Sequence, residues 1–134
     1  MNQAEPVITK YGVLNGRDAI YLDEISFSNG TDNTHIKGEF SLSLCSKSAK
    51  EKWLPYELTF ERVLVIKVTE LDTWESQQNW YNKSSFDLIK NSEWLSKLSG
   101  KKTQEHKHFI MLTYDDVIEV ICESFLLEYG EPYS

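Results

Sequence analysis

Between His35 and Cys45, Ile36, Gly38, Phe40, Leu42 and Leu44 alternate with Lys37, Glu39, Ser41 and Ser43. That period of two is the mark of a strand with one face in a core and the other in water. The alternation resumes from Tyr56 to Thr69, with Tyr56, Leu58, Phe60, Leu64, Ile66 and Val68 on one side and Glu57, Thr59, Glu61, Lys67 and Thr69 on the other. Arg62 interrupts the apolar row, and Val63 and Val65 enter the polar one. A bulge near Arg62, or cover over both faces of the second half, accounts for the break; the pattern alone does not choose. Upstream, Asn15-Gly16 predicts a two-residue hairpin turn, since both residues tolerate positive φ, joining a strand over 7–13 to one over 19–27. The stretch 28–33 holds no apolar residue and is dense in turn formers, so it connects that second strand to the His35 strand. Four strands in meander order follow.

From Leu71 to Lys107 the texture changes. Gln77-Gln78-Asn79 breaks the β pattern, and 84–89 and 92–98 read as short helices, each opened by Ser or Asn and an acid, with Lys97 and Gly100 closing the second. A strand resumes over 108–113. The segment from Asp116 to Tyr129 fits two patterns: Val117, Ile118, Ile121, Cys122, Phe125, Leu126 and Tyr129 recur at helical spacing, but the β-branched density and a Tyr114-Asp115-Asp116 turn favour a strand in a hairpin. The expectation is one α+β domain over 1–134, predominantly antiparallel β. In it a meander folds into a sandwich or partly open barrel, with one or two short helices inserted before the C-terminal strands.

Composition agrees with a folded chain: 134 residues, 40% hydrophobic and 13% aromatic, with only 6 Gly and 3 Pro. The net charge of −7 argues against a partner held through phosphates, so neither nucleic acid nor an anionic membrane is expected. Residues 1–6 show no basic or apolar signal region, and the longest apolar run, Val63-Leu64-Val65-Ile66, is far short of the ~20 residues of a membrane span. A cytoplasmic protein with Cys45 and Cys122 as free thiols is the expectation.

Candidate chemistry is sparse. His106 and His108 share a face if 106–108 is a strand, and His35 could complete a zinc site, but no motif supports one, and no metal or cofactor is expected. Glu70, Asp72 and Glu75 surround Trp74 as a carboxylate pair beside an aromatic ring would in a glycoside hydrolase, with nothing to fix their separation. Asp115-Asp116 reads as a turn or element start. No phosphate loop, GxSxG or CxxC is present. Trp53, Trp74, Trp80 and Trp94 fall in or beside the irregular parts, where they pack elements onto the sheet; alternatively Trp74, Trp80 and Tyr81 present an aromatic surface to a partner.

Charge distribution adds one feature. Lys83 to Lys107 holds six lysines, whereas Asp115, Asp116, Glu119, Glu123, Glu128 and Glu131 follow with no Lys or Arg. Folded onto one face, those acids would meet a basic protein, the physics used by small immunity and inhibitor proteins. A non-catalytic protein-binding module is therefore the expected function. The rival is a small-ligand-binding protein or enzyme with a pocket in the β core near His106, His108 and Trp74.

Overall fold

The computed structural model of the chain describes residues 1–28, 32–47, 50–77 and 82–134. In chain order the elements are β1 (Gln3–Pro6), β2 (Ile20–Phe27), β3 (Thr34–Ser41), β4 (Trp53–Glu61), β5 (Val65–Glu70), α1 (Leu71–Gln77), β6 (Phe86–Lys90), α2 (Glu93–Lys97), β7 (Lys107–Leu112), β8 (Asp116–Cys122) and β9 (Ser124–Tyr129). They form two antiparallel sheets, one of five strands in the order β1-β6-β7-β8-β5 and one of four in the order β2-β3-β4-β9. The α+β, mostly antiparallel reading holds, with two short helices before the C-terminal strands. Ile36, Phe40, Leu54, Leu58 and Phe60 of the smaller sheet meet Phe86, Phe109, Met111, Ile118 and Val120 of the larger one in the main core. α1 lies on the outer face of the five-stranded sheet over a second cluster of Ala4, Leu71, Trp74, Ile89, Ile110 and Val117, and α2 meets the same face through Ser92 and Trp94 at His108.

The alternating segment from Tyr56 to Thr69 is two strands in two sheets. Arg62 takes a left-handed φ of 55°. Between the pairs Glu61–Ser124 and Val65–Ile121, the β4–β5 side has three residues and the β8–β9 side two, so the break at Arg62 is a bulge at which the chain turns from one sheet to the other. Asp116 to Tyr129 is strand, as the β-branched density suggested, and it makes the matching turn at Glu123. The corner leaves no loose ends: Leu64 N–H bonds Ile121 O, Glu123 N–H bonds Glu61 O, and Arg62 Nε sits 2.9 Å from Glu123 Oε2.

Three local readings are corrected. No strand covers 7–13 as a partner of β2. The Asn15-Gly16 hairpin turn does not form: only Gly16 has a positive φ, the turn lies one step on, closed by Ala19 N–H to Gly16 O, Ser85 bonds the backbone of Leu14 and Gly16, and residues 11–15 run beside 44–47. The stretch 84–89 is not a helix. Asp87, fully buried, accepts from Lys83 N–H, Ser84 N–H and Ser84 Oγ, so the Ser–acid pair read as a helix cap closes the turn into β6. Flanked by β1 and β7 and covered on both faces, β6 loses its period of two, which is why it read as helical. Conversely, α1 was legible only as a break in β texture; Glu70 caps it, accepting from Asp72 N–H and Thr73 N–H.

Cys45 and Cys122 are free thiols. Burial pushes the Cys122 thiol up to about 12 and raises Cys45 as well. Titration with a disulfide reagent at neutral pH should find Cys122 unreactive until denaturant is added, with Cys45 reacting first. Immediate modification of both would contradict this packing.

Candidate functional site

β7 and β8 are interior strands of the five-stranded sheet, so their outward positions lie under the helices rather than in water. His108 stands opposite Ile121, which makes Glu119 its diagonal neighbour on the same face, and Lys67 of β5 stands directly opposite Glu119. His108 Nε2 lies 3.0 Å from Glu119 Oε2. The Trp74 indole N–H donates to Glu119 Oε1 at 3.2 Å, with Lys67 Nζ at 3.8 Å from the same oxygen. On the other side of the ring, His108 Nδ1 is 2.7 Å from Ser92 Oγ, the N-cap of α2, which also accepts from Leu95 N–H. The Trp94 ring packs edge-on against His108 at 5.2 Å.

His108 and Glu119 are only 1% and 6% exposed. Burial raises the Glu119 carboxyl, but the hydrogen bond and positive potential of His108, then Lys67 and the Trp74 indole, outweigh it and hold the group below the ordinary glutamate value. A carboxylate only accepts, so Nε2 carries a hydrogen. Ser92 Oγ, which accepts from Leu95 N–H, keeps a second lone pair and its own hydrogen, so it can serve Nδ1 in either role. The result is a continuous chain of bonds from the α2 cap through the imidazole to the carboxylate, fastening both helices to the sheet.

This cluster joins His108 and Trp74, as the pocket reading anticipated, but behind the sheet rather than inside the β core. His106 stands apart: Nδ1 accepts from Thr103 N–H at 3.0 Å, and Nε2 donates to Arg62 O at 3.2 Å, propping the sheet corner. His35 lies on the other sheet, between Ser28 and Thr59. Among the described residues no group of three metal-ligating side chains converges.

The acids from Asp115 onward do not gather on one face. Asp115 is exposed and Asp116 part-buried at the β7–β8 turn, where burial and then Asp115 and Glu70 raise the Asp116 carboxyl. Glu119 is internal, Glu123 pairs with Arg62 at the corner, and Glu128 faces outward on β9. Trp74 is 3% exposed, so it packs α1 rather than meeting a partner; Trp80 and Tyr81 lie outside the described residues. The sequence pattern groups Glu119 with acids expected to face a basic partner, although on a strand it shares a face with Val117 and Ile121, a signal for burial.

Two surfaces remain. The first is the outer face of the four-stranded sheet, where strand register lines up Glu24, Lys37, Glu57 and Glu128 in one transverse row. Glu39 and Glu61 flank it on the same face, with Trp53, Pro55 and the exposed Leu126. The second is a cleft of about 620 Å³ where β6 and β7 splay apart beyond the Ile89–His108 pair, between α2 and the segment 102–107. Ser92 and His106 border it. No helix of the described residues is long and apolar enough to cross a membrane. Comparisons with protein families, with curated proteins and with solved structures return no match for this chain.

Proposed function

We propose that this chain is a binding protein that docks a basic protein on the outer face of its four-stranded sheet. The observation that carries this reading is the transverse row. Glu57 and Glu128 are directly opposed across β4 and β9, and among the described residues neither they nor Glu24 has an ion-pair partner. Like charges placed opposite one another cost stability, by a few tenths of a kcal/mol up to about 1. A solvated sheet face gains nothing from such a pair, whereas a face awaiting cations does. Five acids against Lys37 and Lys52, whose ammonium lies 5.2 Å over the Trp53 ring, leave the face net acidic, and Leu126 and Pro55 with the Trp53 ring provide apolar contacts from which water can be expelled. Both helices sit on the opposite side of the molecule, leaving this face uncovered by them.

The test uses decalysine as probe, followed by backbone amide shifts at low salt. Shifts concentrated on β3, β4 and β9 and abolished by salt are expected, and Glu57→Gln with Glu128→Gln should weaken binding while leaving the fold as stable as before or slightly more so. Shifts centred on Asp115 and Asp116, or indifference to the two substitutions, would sink the proposal.

A further inference from the structure

The cleft beyond the Ile89–His108 pair inverts the charge of the molecule. In a chain of net −7, its lining holds Lys90, Lys102 and Lys107 and no carboxylate, with Lys90 paired to Glu5 outside it, so Lys102 supplies the charge open to a ligand. Its walls are also apolar, through Leu88, Ile89 and Leu95. We propose that this cleft binds a small organic anion with an apolar body, of the amphipathic carboxylate class. The inference goes beyond the docking face, which lies on the other sheet and carries the opposite sign.

Three observations converge on that ligand. The volume of about 620 Å³ falls in the range of small-molecule sites, ~300–1,000 Å³. The Lys102 ammonium is held yet unsaturated. Lys102 Nζ donates to Leu95 O at 3.1 Å, and Lys107 Nζ donates to Glu105 O and Glu123 O. An ammonium has three hydrogens, so Lys102, tied to the cleft residue Leu95, keeps two for a bound anion, whereas the Lys107 ammonium is taken up by Glu105 O and Glu123 O. The apolar part of the wall, Leu88, Ile89 and Leu95, finally, suits a hydrocarbon or aromatic body with its charged group at Lys102. The Lys102–Leu95 bond ties the 102–107 segment to α2, so the cleft is built before a ligand arrives.

Decanoate and decylammonium, equal in length and opposite in charge, are the probes, read by backbone amide shifts at Ser92, Leu95, Thr103 and His106. Decanoate should bind saturably at about 1 mM or tighter and decylammonium should not. Lys102→Gln should weaken decanoate about threefold, the scale of one exposed charge pair. Ser96→Glu, at an exposed helical position bordering the cleft, should abolish binding without touching the fold. Equal binding of both probes, absence of saturable decanoate binding, or decanoate binding that Ser96→Glu leaves intact would overturn the assignment. None of these outcomes depends on the docking face, which Glu57→Gln and Glu128→Gln probe separately.

Discussion

Replacing Glu119 by Leu should destabilise the protein by about 3–5 kcal/mol in urea unfolding at neutral pH. The volume is tolerable, but the substitution removes the acceptor for two buried donors, His108 Nε2–H and the Trp74 indole N–H, and the counter-charge of Lys67. Each orphaned donor costs about 1–3 kcal/mol. Glu119→Gln should cost less, since its amide oxygen can serve one donor while the amide nitrogen confronts the other. The loss also has a pH signature. Glu119 titrates lower in the folded chain than in the unfolded one, so its contribution is complete above the ordinary glutamate value and disappears as pH falls through the depressed folded value. The gap between the native protein and Glu119→Leu should therefore narrow in acid. A gap below about 1 kcal/mol at neutral pH would mean that the cluster is solvated rather than buried.

Gly38→Ala should cost about 3 kcal/mol or more, although it adds a single methyl to a strand. A Cβ on Gly38 would lie 1.8 Å from Tyr21 O and 2.9 Å from Tyr56 Oη. The reason is the bulge between Leu22 and Glu24, which brings the edge strand β2 close over β3, and the Tyr56 hydroxyl, which reaches past Gly38 to donate to Tyr21 O at 3.0 Å. Tyr56 is itself stacked on Phe40 at 4.1 Å between ring centres, so it cannot swing away. Tyr56→Phe, which removes only the hydrogen bond, should cost about 1 kcal/mol. Thermal unfolding of the two variants compares these effects; a melting temperature for Gly38→Ala equal to the parent's would show that β2 slides freely along β3.

The parts of this fold that were legible in the sequence are those with one wet face. β3 and β4 of the four-stranded sheet alternate because water is on one side, whereas β9 beside them lies within the segment 116–129, which fits both helix and strand. The five-stranded sheet carries helices on its outer side, so β6 loses its alternation and Ser84 with Asp87 could imitate a helix cap. The sheet switches at Arg62 and Glu123 show in sequence only as a stumble in period, since nothing local distinguishes a bulge within a sheet from one between sheets. The His108 cluster was half visible: its histidine, its tryptophan and its acid were each singled out, but for different roles, because their meeting depends on the pairing of three strands and the placing of two helices. The acidic row was hidden for the same reason. Glu24, Glu57 and Glu128 are remote in the chain and become neighbours through register.

The double corner has a consequence for how the molecule comes apart and together. Because β4 runs on into β5 and β8 into β9, one paired ribbon belongs to both sheets, and neither sheet can peel away without dragging a strand from the other. The two layers consequently open as one cooperative unit, and local fraying is confined to the ends of the molecule. The same ribbon must join residues such as Tyr56 and Tyr129, and β1 must find β6 across most of the chain, so little of the sheet framework can form early from neighbours in sequence. Folding on the scale of roughly milliseconds to seconds, with β1 docking late, is the kinetic expression of that topology.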